Sequence, residues 1–203
     1  MEVYSHRGIG LGKENSKASI QEAKKRTLKY EADVRKSADK QLVLWHDRGF
    51  VENKPYSELK KLGIVRLEDA LQMGIDLDLD IKEGVNGPEV LNMVEQHNMV
   101  EHVIFTSFFP NKVIDIKKKN KEATVGFITQ IRLPRITLPF LARAGMDYIL
   151  PHADKVTGPF VQSAHKSGMK VVTWCPSNET IMQNNISYGI DGFILNNAVP
   201  LAL

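Results

Sequence analysis

The sequence predicts an α/β protein in which eight parallel strands close into a barrel surrounded by helices, a (β/α)8 or TIM barrel. Short strand-like segments alternate with helix-like segments of about ten residues, and this alternation is typical of a parallel sheet. So many units favour a closed barrel over an open sheet, although 203 residues is short for a fold of about 250 residues. No linker or low-complexity segment divides the chain, so we predict a single domain over residues 1–203.

The first strands of the predicted barrel are apolar or β-branched runs, several of which end in polar residues. The runs are Val3-Tyr4, Leu28–Tyr30, Leu42–Trp45 and Ile75–Ile81. The segment Pro88–His97 then has the pattern of a helix with proline in its first turn. In such a barrel the carboxyl ends of the strands form the active-site face.

The rest of the chain repeats the strand–helix unit. The predicted strands are Val103–Thr106, Thr124–Ile128, Tyr148–Leu150, Lys170–Trp174 and Gly192–Leu195. The predicted helices between them are Pro110–Lys119, Pro134–Ala144, Gly158–Lys166 and Glu179–Ser187. This makes nine strand candidates for eight places, so the predicted barrel is slightly irregular.

A hairpin after the second strand accounts for the extra candidate. Too few residues separate Asp33 from Val43 for a parallel crossover, which needs a dozen or more. We therefore predict that the strand carrying Asp33 continues above the barrel rim, turns near residues 38–40 and returns antiparallel. This turn places His46 roughly opposite Ala32.

The polar residues at the ends of the first strands predict phosphodiester chemistry. His6 and Arg7 follow the first run, Glu31 and Asp33 the second, and His46 the third. The two carboxylates share one strand face and can converge on one hard divalent cation. Arginine binds phosphate oxygens and histidines move protons near neutral pH. The residues alone therefore predict metal-assisted hydrolysis of a phosphodiester.

A third carboxylate ligand is expected from residues 76–82. Alternation places Asp76, Asp78, Asp80 and Lys82 on one face of this strand. Polar side chains inside a barrel are costly unless they serve a site. A set of carboxylate oxygens suits Mg²⁺ or Ca²⁺; Mn²⁺ also fits, and zinc is less suitable.

The order of these motifs resembles the glycerophosphodiester phosphodiesterase family, a metal-dependent TIM-barrel group related in fold to phosphatidylinositol phospholipases C. The matching segments are His6-Arg7-Gly8, Lys13–Ser16, Glu31-Ala32-Asp33, His46-Asp47, Asp80-Ile81-Lys82, Ser107-Phe108, Trp174–Asn178 and Gly189–Gly192. The resemblance spans essentially the whole chain. Where the family usually has glutamate, this chain has the shorter Asp80.

The resemblance implies hydrolysis of a glycerophosphodiester to glycerol phosphate and an alcohol. It implies that His6 and His46 are the general acid and base, without deciding which is which. The implied metal ligands are Glu31, Asp33 and Asp80. The implied or candidate substrate-binding residues are Arg7, Lys82, Glu14 and Trp174. A helix start at residues 15–16 explains Glu14, and core packing explains Trp174, nearly as well as substrate binding does.

Three departures from the family pattern leave the identity of the alcohol leaving group undecided. The stretch after His46-Asp47 lacks the usual Arg-Thr-Thr-like pattern, and the short segment 48–68 leaves no room for a sizeable cap insertion. The last strand ends in Leu195-Asn196-Asn197, where the family commonly has Thr-Asp. The alternatives are a phospholipase D-like or lysophospholipid-cleaving activity on the same fold, and a noncatalytic barrel that binds phosphorylated metabolites.

Composition restricts the partners and the compartment. The net charge is only +3, and 42% hydrophobic and 25% charged residues are ordinary for a soluble protein, so we expect no nucleic acid as partner. The motifs and the resemblance imply a small-molecule phosphodiester substrate. The single cysteine excludes an internal disulfide. We find no apolar run of about 20 residues and no secretory signal, so we expect no stable membrane insertion and a cytoplasmic protein. The sequence does not decide whether the protein forms homo-oligomers, or which head group and which metal it uses. It also does not decide between direct attack by water and a mechanism through a cyclic phosphate intermediate.

Overall fold

The structure, a computed structural model of the chain, describes residues 1–198, which contain nine strands. They are β1 (Glu2–His6), β2 (Lys29–Lys36), β3 (Leu42–Leu44), β4 (Leu77–Ile81), β5 (Val103–Ser107), β6 (Thr124–Thr129), β7 (Tyr148–Pro151), β8 (Lys170–Trp174) and β9 (Gly192–Leu195). The last five residues of the predicted domain, 199–203, lie outside the described part.

The same residues contain eight α-helices and four short 3₁₀ turns. The helices are α1 (Lys17–Lys25), α2 (Tyr56–Lys61), α3 (Leu67–Leu71), α4 (Gly87–Gln96), α5 (Pro110–Lys119), α6 (Leu138–Arg143), α7 (Gly158–Lys166) and α8 (Glu179–Ser187). Among the described residues, none of these helices has the length and apolar character that crossing a bilayer requires.

Eight of the strands form a closed parallel barrel. The strands follow one another around the sheet, and β1 pairs in parallel with both β9 and β2, which closes the ring. The predicted TIM barrel is therefore confirmed. Outward side chains of the strands pack against the helices in the main core. Inside the barrel a smaller apolar cluster contains Tyr4, Ile128, Leu150, Val172 and Ile194.

The predicted hairpin is present as β2 and β3, which pair antiparallel with Val34 opposite Leu44. The backbone N–H of Trp45 donates to the carbonyl oxygen of Asp33 at 2.9 Å, so the pairing extends past the end of β3. Continued by two residues, this register places His46 opposite Ala32, as the sequence predicts. The hairpin therefore brings His46, which follows a strand outside the barrel, over the open end of the barrel.

One predicted helix differs from the structure. The segment 134–144 contains a 3₁₀ turn at Arg135–Thr137 followed by only six residues of α-helix, α6. Pro139 lacks an N–H donor and is accommodated at the start of an α-helix but not within one, so α6 begins just before it. The segment between β3 and β4 holds only α2, α3 and a 3₁₀ turn, in agreement with the absence of a sizeable cap.

Candidate active site

A cavity of about 240 Å³ opens at the carboxyl ends of the barrel strands. Most of the residues proposed from the sequence meet in it. Its walls are formed by His6, Arg7, Glu31, Asp33, His46, Asp80, Lys82, Phe108, Ile128, Gln130, Trp174 and Ile194. One side of the cavity is charged and the other is largely apolar.

Three carboxylates form the floor of the charged side. Glu31 and Asp33 point inward from β2, and Asp80 on β4 is the direct parallel partner of Asp33. One oxygen from each carboxylate lies within 4.8 Å of the others. All three side chains are buried: Glu31 is 5%, Asp33 1% and Asp80 3% exposed.

Lys82 supplies part of the charge that this carboxylate triad needs. Its Nζ lies 2.7 Å from Oδ1 of Asp33 and also bonds Oδ2 of Asp80. The Asp80 Oδ1 atom is buried and has no hydrogen-bond partner among the described residues. One ammonium therefore faces three buried carboxylates, and one of their oxygens has no donor.

The pKa values of the triad reflect burial and the single ammonium nearby. Burial raises the pKa of Glu31 well above its usual range, and the neighbouring Asp33 charge adds to the shift. Burial also raises the pKa of Asp80, although Lys82 opposes the shift. For Asp33 burial is opposed by the Lys82 charge and hydrogen bond together with His46 and Asn15, and its pKa is lowered. A divalent cation between these oxygens would remove the repulsion and satisfy the free oxygen, so the triad fits a metal ion.

Asp78 precedes Asp80 by two residues on β4, so its side chain lies on the same strand face, deeper in the barrel core. Oγ1 of Thr106 donates a 2.5 Å hydrogen bond to Oδ1 of Asp78. Burial raises the pKa of Asp78 to about 8, against the opposing effect of this hydrogen bond. Burial therefore favours the protonated form of Asp78, which the Thr106 hydrogen bond holds in the barrel core below the triad.

The loop after β1 holds His6 and Arg7 at the cavity mouth. Arg7 has a positive φ of 53°, and Gly8 follows with φ of 74°. A Cβ at Gly8 would lie 2.4 Å from Cβ of Ser19, so only glycine fits between the loop and α1. The Tyr30 hydroxyl donates to the Arg7 carbonyl at 2.7 Å. Glycine at position 8 is therefore a steric requirement of this turn.

Both histidines use the same ring nitrogen to contact the protein. Nδ1 of His6 lies 2.6 Å from Oδ1 of Asn196, and Nδ1 of His46 lies 2.8 Å from Oδ1 of Asp47. Each oxygen is an acceptor, so each Nδ1 carries a proton and the neutral ring presents an unprotonated Nε2. Nε2 of His6 is 3.8 Å from Oε2 of Glu31, which places it beside the carboxylate triad.

Arg7 and Glu14 lie together, but only Arg7 reaches the main cavity. Nη1 of Arg7 is 3.1 Å from Oε2 of Glu14. Glu14 lines an adjacent open cavity of about 420 Å³, which shares Arg7 and His46 with the main one. The structure thus places Glu14 beside the site, where it holds the arginine, and not among the residues that face the triad.

Trp174 forms part of the apolar wall. Its Nε1 donates to the Leu150 carbonyl at 3.1 Å, and its ring packs edge-on against Phe108 and His152 at centroid distances of 6.1 and 4.6 Å. Both of the readings considered from the sequence therefore apply, because the side chain packs against neighbours and also lines the cavity.

Sequence reasoning missed two asparagines at the site. Nδ2 of Asn15 donates to Oδ2 of Asp33 at 3.1 Å, and Asn196 contacts His6 as described. Asn15 stands inside a recognised motif and has a positive φ of 50°, a conformation that asparagine tolerates better than most residues, so a signal was available for it. Asn196 follows the last strand, and no local pattern connects it with the first.

Comparisons with known proteins agree with this arrangement. Residues 6–199 match the model of the glycerophosphoryl diester phosphodiesterase family. A glycerophosphodiester phosphodiesterase from Caldanaerobacter subterraneus subsp. tengcongensis is 26% identical, over 98% of this chain and 95% of the relative.

Two solved structures share the fold over nearly the whole chain. One, from Galdieria sulphuraria, has a TM-score of 0.88 at 20% identity and covers 97% of this chain and 94% of its own. The other is an Oleispira antarctica phosphodiesterase in complex with the product sn-glycerol-3-phosphate. It has a TM-score of 0.82 at 22% identity, and the match covers 97% of this chain and 93% of the Oleispira chain.

Proposed function

The chain belongs to the glycerophosphoryl diester phosphodiesterase family and is a phosphodiesterase, and we propose that it hydrolyses glycerophosphodiesters with the help of a divalent cation and two histidines. The products are glycerol phosphate and an alcohol. The observation that carries the proposal is the meeting of the Glu31–Asp33–Asp80 triad with His6, His46 and Arg7 in one cavity.

Glu31, Asp33 and Asp80 would hold the cation. An all-oxygen set favours Mg²⁺ or Ca²⁺, and Mn²⁺ also fits. When bound, the ion supplies Lewis-acid chemistry, drawing negative charge from the phosphate oxygens and orienting the diester. Its charge would also offset the burial and the neighbouring Asp33 charge that raise the pKa of Glu31.

The two histidines move the protons of the reaction. One Nε2 accepts a proton from the attacking oxygen, either of water or of a glycerol hydroxyl, while the other imidazole, in its protonated form, donates one to the departing alkoxide. His6 lies beside the triad, and His46 lines the same cavity from the hairpin. Two histidines on different elements of one cavity can serve as one proton donor and one proton acceptor for the same phosphate.

Arg7 and Lys82 are the cations available to the phosphate. Arg7 is held by Glu14, a half-exposed carboxylate, so an incoming phosphate can compete for the guanidinium in a fork geometry. Lys82 is bound to two of the triad carboxylates. A cation in the triad would replace that contact and free the ammonium to turn toward substrate oxygens.

A lysophospholipid-cleaving activity is the second candidate. The observation that favours it is the apolar wall formed by Phe108, Ile128, Trp174 and Ile194, because a lysophospholipid presents an acyl chain that a deacylated diester lacks.

We also propose that the protein is cytoplasmic.

The test measures hydrolysis of glycerophosphocholine, glycerophosphoethanolamine, glycerophosphoglycerol and lysophosphatidylcholine. Each substrate is assayed with Mg²⁺, Ca²⁺, Mn²⁺ or chelator, beside His46→Ala and the control His102→Ala, whose exposed ring lies outside the cavity. We expect metal-dependent turnover of a glycerophosphodiester that only His46→Ala abolishes. Turnover of the lysolipid alone would replace the first candidate by the second, and no turnover with any ion would overturn both.

A further inference from the structure

Most of the exposed large apolar side chains among the described residues lie on segments that directly follow strands β5 and β6, whose carboxyl ends border the cavity. Six large apolar side chains are exposed among the described residues, and three of them stand within ten residues: Ile131 (68% exposed), Ile136 (74%) and Phe140 (63%). A fourth, Phe109, follows the neighbouring strand β5. Exposed apolar groups clustered in this way indicate an interaction surface.

Two members of the cluster directly follow residues that line the cavity. Gln130 and Phe108 line the cavity, and the next residues along the chain are the exposed Ile131 and Phe109. On two adjacent strands the chain therefore passes directly from the cavity to an outward-facing apolar side chain. Whatever covers this cluster lies against the opening of the active site.

The same segment is strongly basic. Residues 130–143 contain Arg132, Arg135 and Arg143 and no acidic residue. All three arginines are exposed, and none forms an ion pair with another described residue. Arg132 and Arg135 also line an open groove of about 610 Å³, together with Phe160 of α7.

Exposed apolar side chains interleaved with unpaired arginines fit one kind of partner. A phospholipid surface offers an apolar layer for isoleucine and phenylalanine side chains, and its phosphates accept hydrogen bonds from guanidinium groups at the same level. An anionic surface adds long-range attraction for each arginine. A nucleic acid would not need the apolar groups, and a like copy of this basic surface would repel it.

We propose that residues 130–143, together with Phe109, dock the protein on anionic phospholipid membranes and hold the mouth of the cavity against the lipid surface. The interaction is peripheral, because Ile136 and Phe140 project only from a 3₁₀ turn and a six-residue helix. The proposal does not depend on the identity of the hydrolysed diester.

The test is co-sedimentation with vesicles of phosphatidylcholine alone or of equal parts phosphatidylcholine and phosphatidylglycerol. Arg132→Gln combined with Arg135→Gln removes two charges from the surface, and Ile136→Ser combined with Phe140→Ser removes two apolar groups. The matched charge control is Lys118→Gln combined with Lys121→Gln, because these exposed lysines lie near the start of β6, at the opposite end of the barrel. Leu62→Ser, at a side chain 49% exposed on α2's end, is the apolar control.

We expect binding to the anionic vesicles that weakens with salt. Removing the two arginines lowers the partition coefficient by about fivefold for each charge, and removing the two apolar groups lowers it by about tenfold or more. Both controls bind like the parent. All variants keep the parent's melting temperature and its turnover of a soluble diester, because the changed side chains are exposed and outside the cavity.

Several results would overturn the proposal. The parent protein failing to sediment with anionic vesicles is one, and equal losses in the Lys118/Lys121 control are another. Retention on an oligonucleotide without vesicle binding would assign the arginines to nucleic acid. A dimer in light scattering that Ile136→Ser with Phe140→Ser dissociates, again without vesicle binding, would assign the surface to a second copy.

Discussion

Nδ1 of His6 donates a 2.6 Å hydrogen bond to Oδ1 of Asn196, across 190 residues of sequence. The bond joins the end of β1 to the end of β9, the two strands that pair at the seam where the barrel closes. Sγ of Cys175 lies 3.3 Å from the same Nδ1. The orientation and the proton position of the first-strand histidine are therefore set by the last strand.

Asn196→Ala should lower kcat about ten- to hundredfold with little change in KM, because His6 loses the acceptor that fixes its tautomer while the substrate contacts stay in place. Steady-state kinetics across a pH series measure the effect. Asn196→Asp should restore much of the rate, with the profile displaced toward higher pH, because a carboxylate also accepts from Nδ1 and favours the protonated ring. Asn197→Ala is the neighbouring control; a similar loss there would indicate a loop defect and count against this role.

The dependence of the rate on the leaving group should show which histidine is the general acid and which is the base. The variant that lacks the general acid, His6→Ala or His46→Ala, should lose several hundredfold or more on a glycerophosphodiester with a choline leaving group. It should lose far less on a p-nitrophenyl diester, whose leaving group departs without protonation. The variant that lacks the base should lose similar factors on both. Equal ratios for the two variants would argue against the division of labour proposed here.

Loss of a triad carboxylate should remove the metal. Asp33→Asn is expected to weaken Mn²⁺ binding, measured by calorimetry, on the order of a hundredfold or more, since even the partners of metal ligands contribute ten- to hundredfold. Asp80→Glu should keep binding, because the longer carboxylate still reaches the oxygens that lie within 4.8 Å of one another. Asp115→Asn, at a half-exposed carboxylate on α5, should change nothing. Full Mn²⁺ affinity in Asp33→Asn would exclude the triad as the metal site.

Asp78→Asn should stabilise the metal-free protein increasingly as the pH rises. The pKa of Asp78 is raised from 3.8 to about 8 by burial, so between these values the unfolded carboxyl ionises while the folded one stays protonated. Each pH unit in that window therefore lowers the folding stability of the parent by up to about 1.4 kcal/mol, and asparagine does not titrate.

Thermal unfolding in chelator at pH 5 and at pH 8 measures this difference. The gain in melting temperature should be larger at pH 8, because only the parent's Asp78 is destabilised as the pH rises. Asparagine should fit the site, because its side-chain oxygen can still accept the hydrogen bond from Thr106. Asp115→Asn again serves as control. A gain that is constant with pH, or a loss at pH 8, would contradict a protonated Asp78.

The barrel and much of the cavity could be predicted from the order of local patterns along the chain. Alternation on β2 and β4 placed Glu31, Asp33, Asp80 and Lys82 on inward faces, and the short separation of Asp33 from Val43 required the hairpin that carries His46. These features depend on period-two geometry and on chain length, which are properties of contiguous sequence.

Contacts between distant segments were decided only by the closed barrel. Asn196 meets His6 because β9 pairs with β1, and Lys82 bonds Asp33 because β4 lies beside β2. The exposure of Ile136 and Phe140 likewise depends on how short α6 is and on what packs against it, although the sequence shows both as ordinary apolar residues. Local sequence thus determined which side chains point inward on each strand, and three-dimensional packing determined which of them meet, since strand pairing joins residues that no sequence period relates.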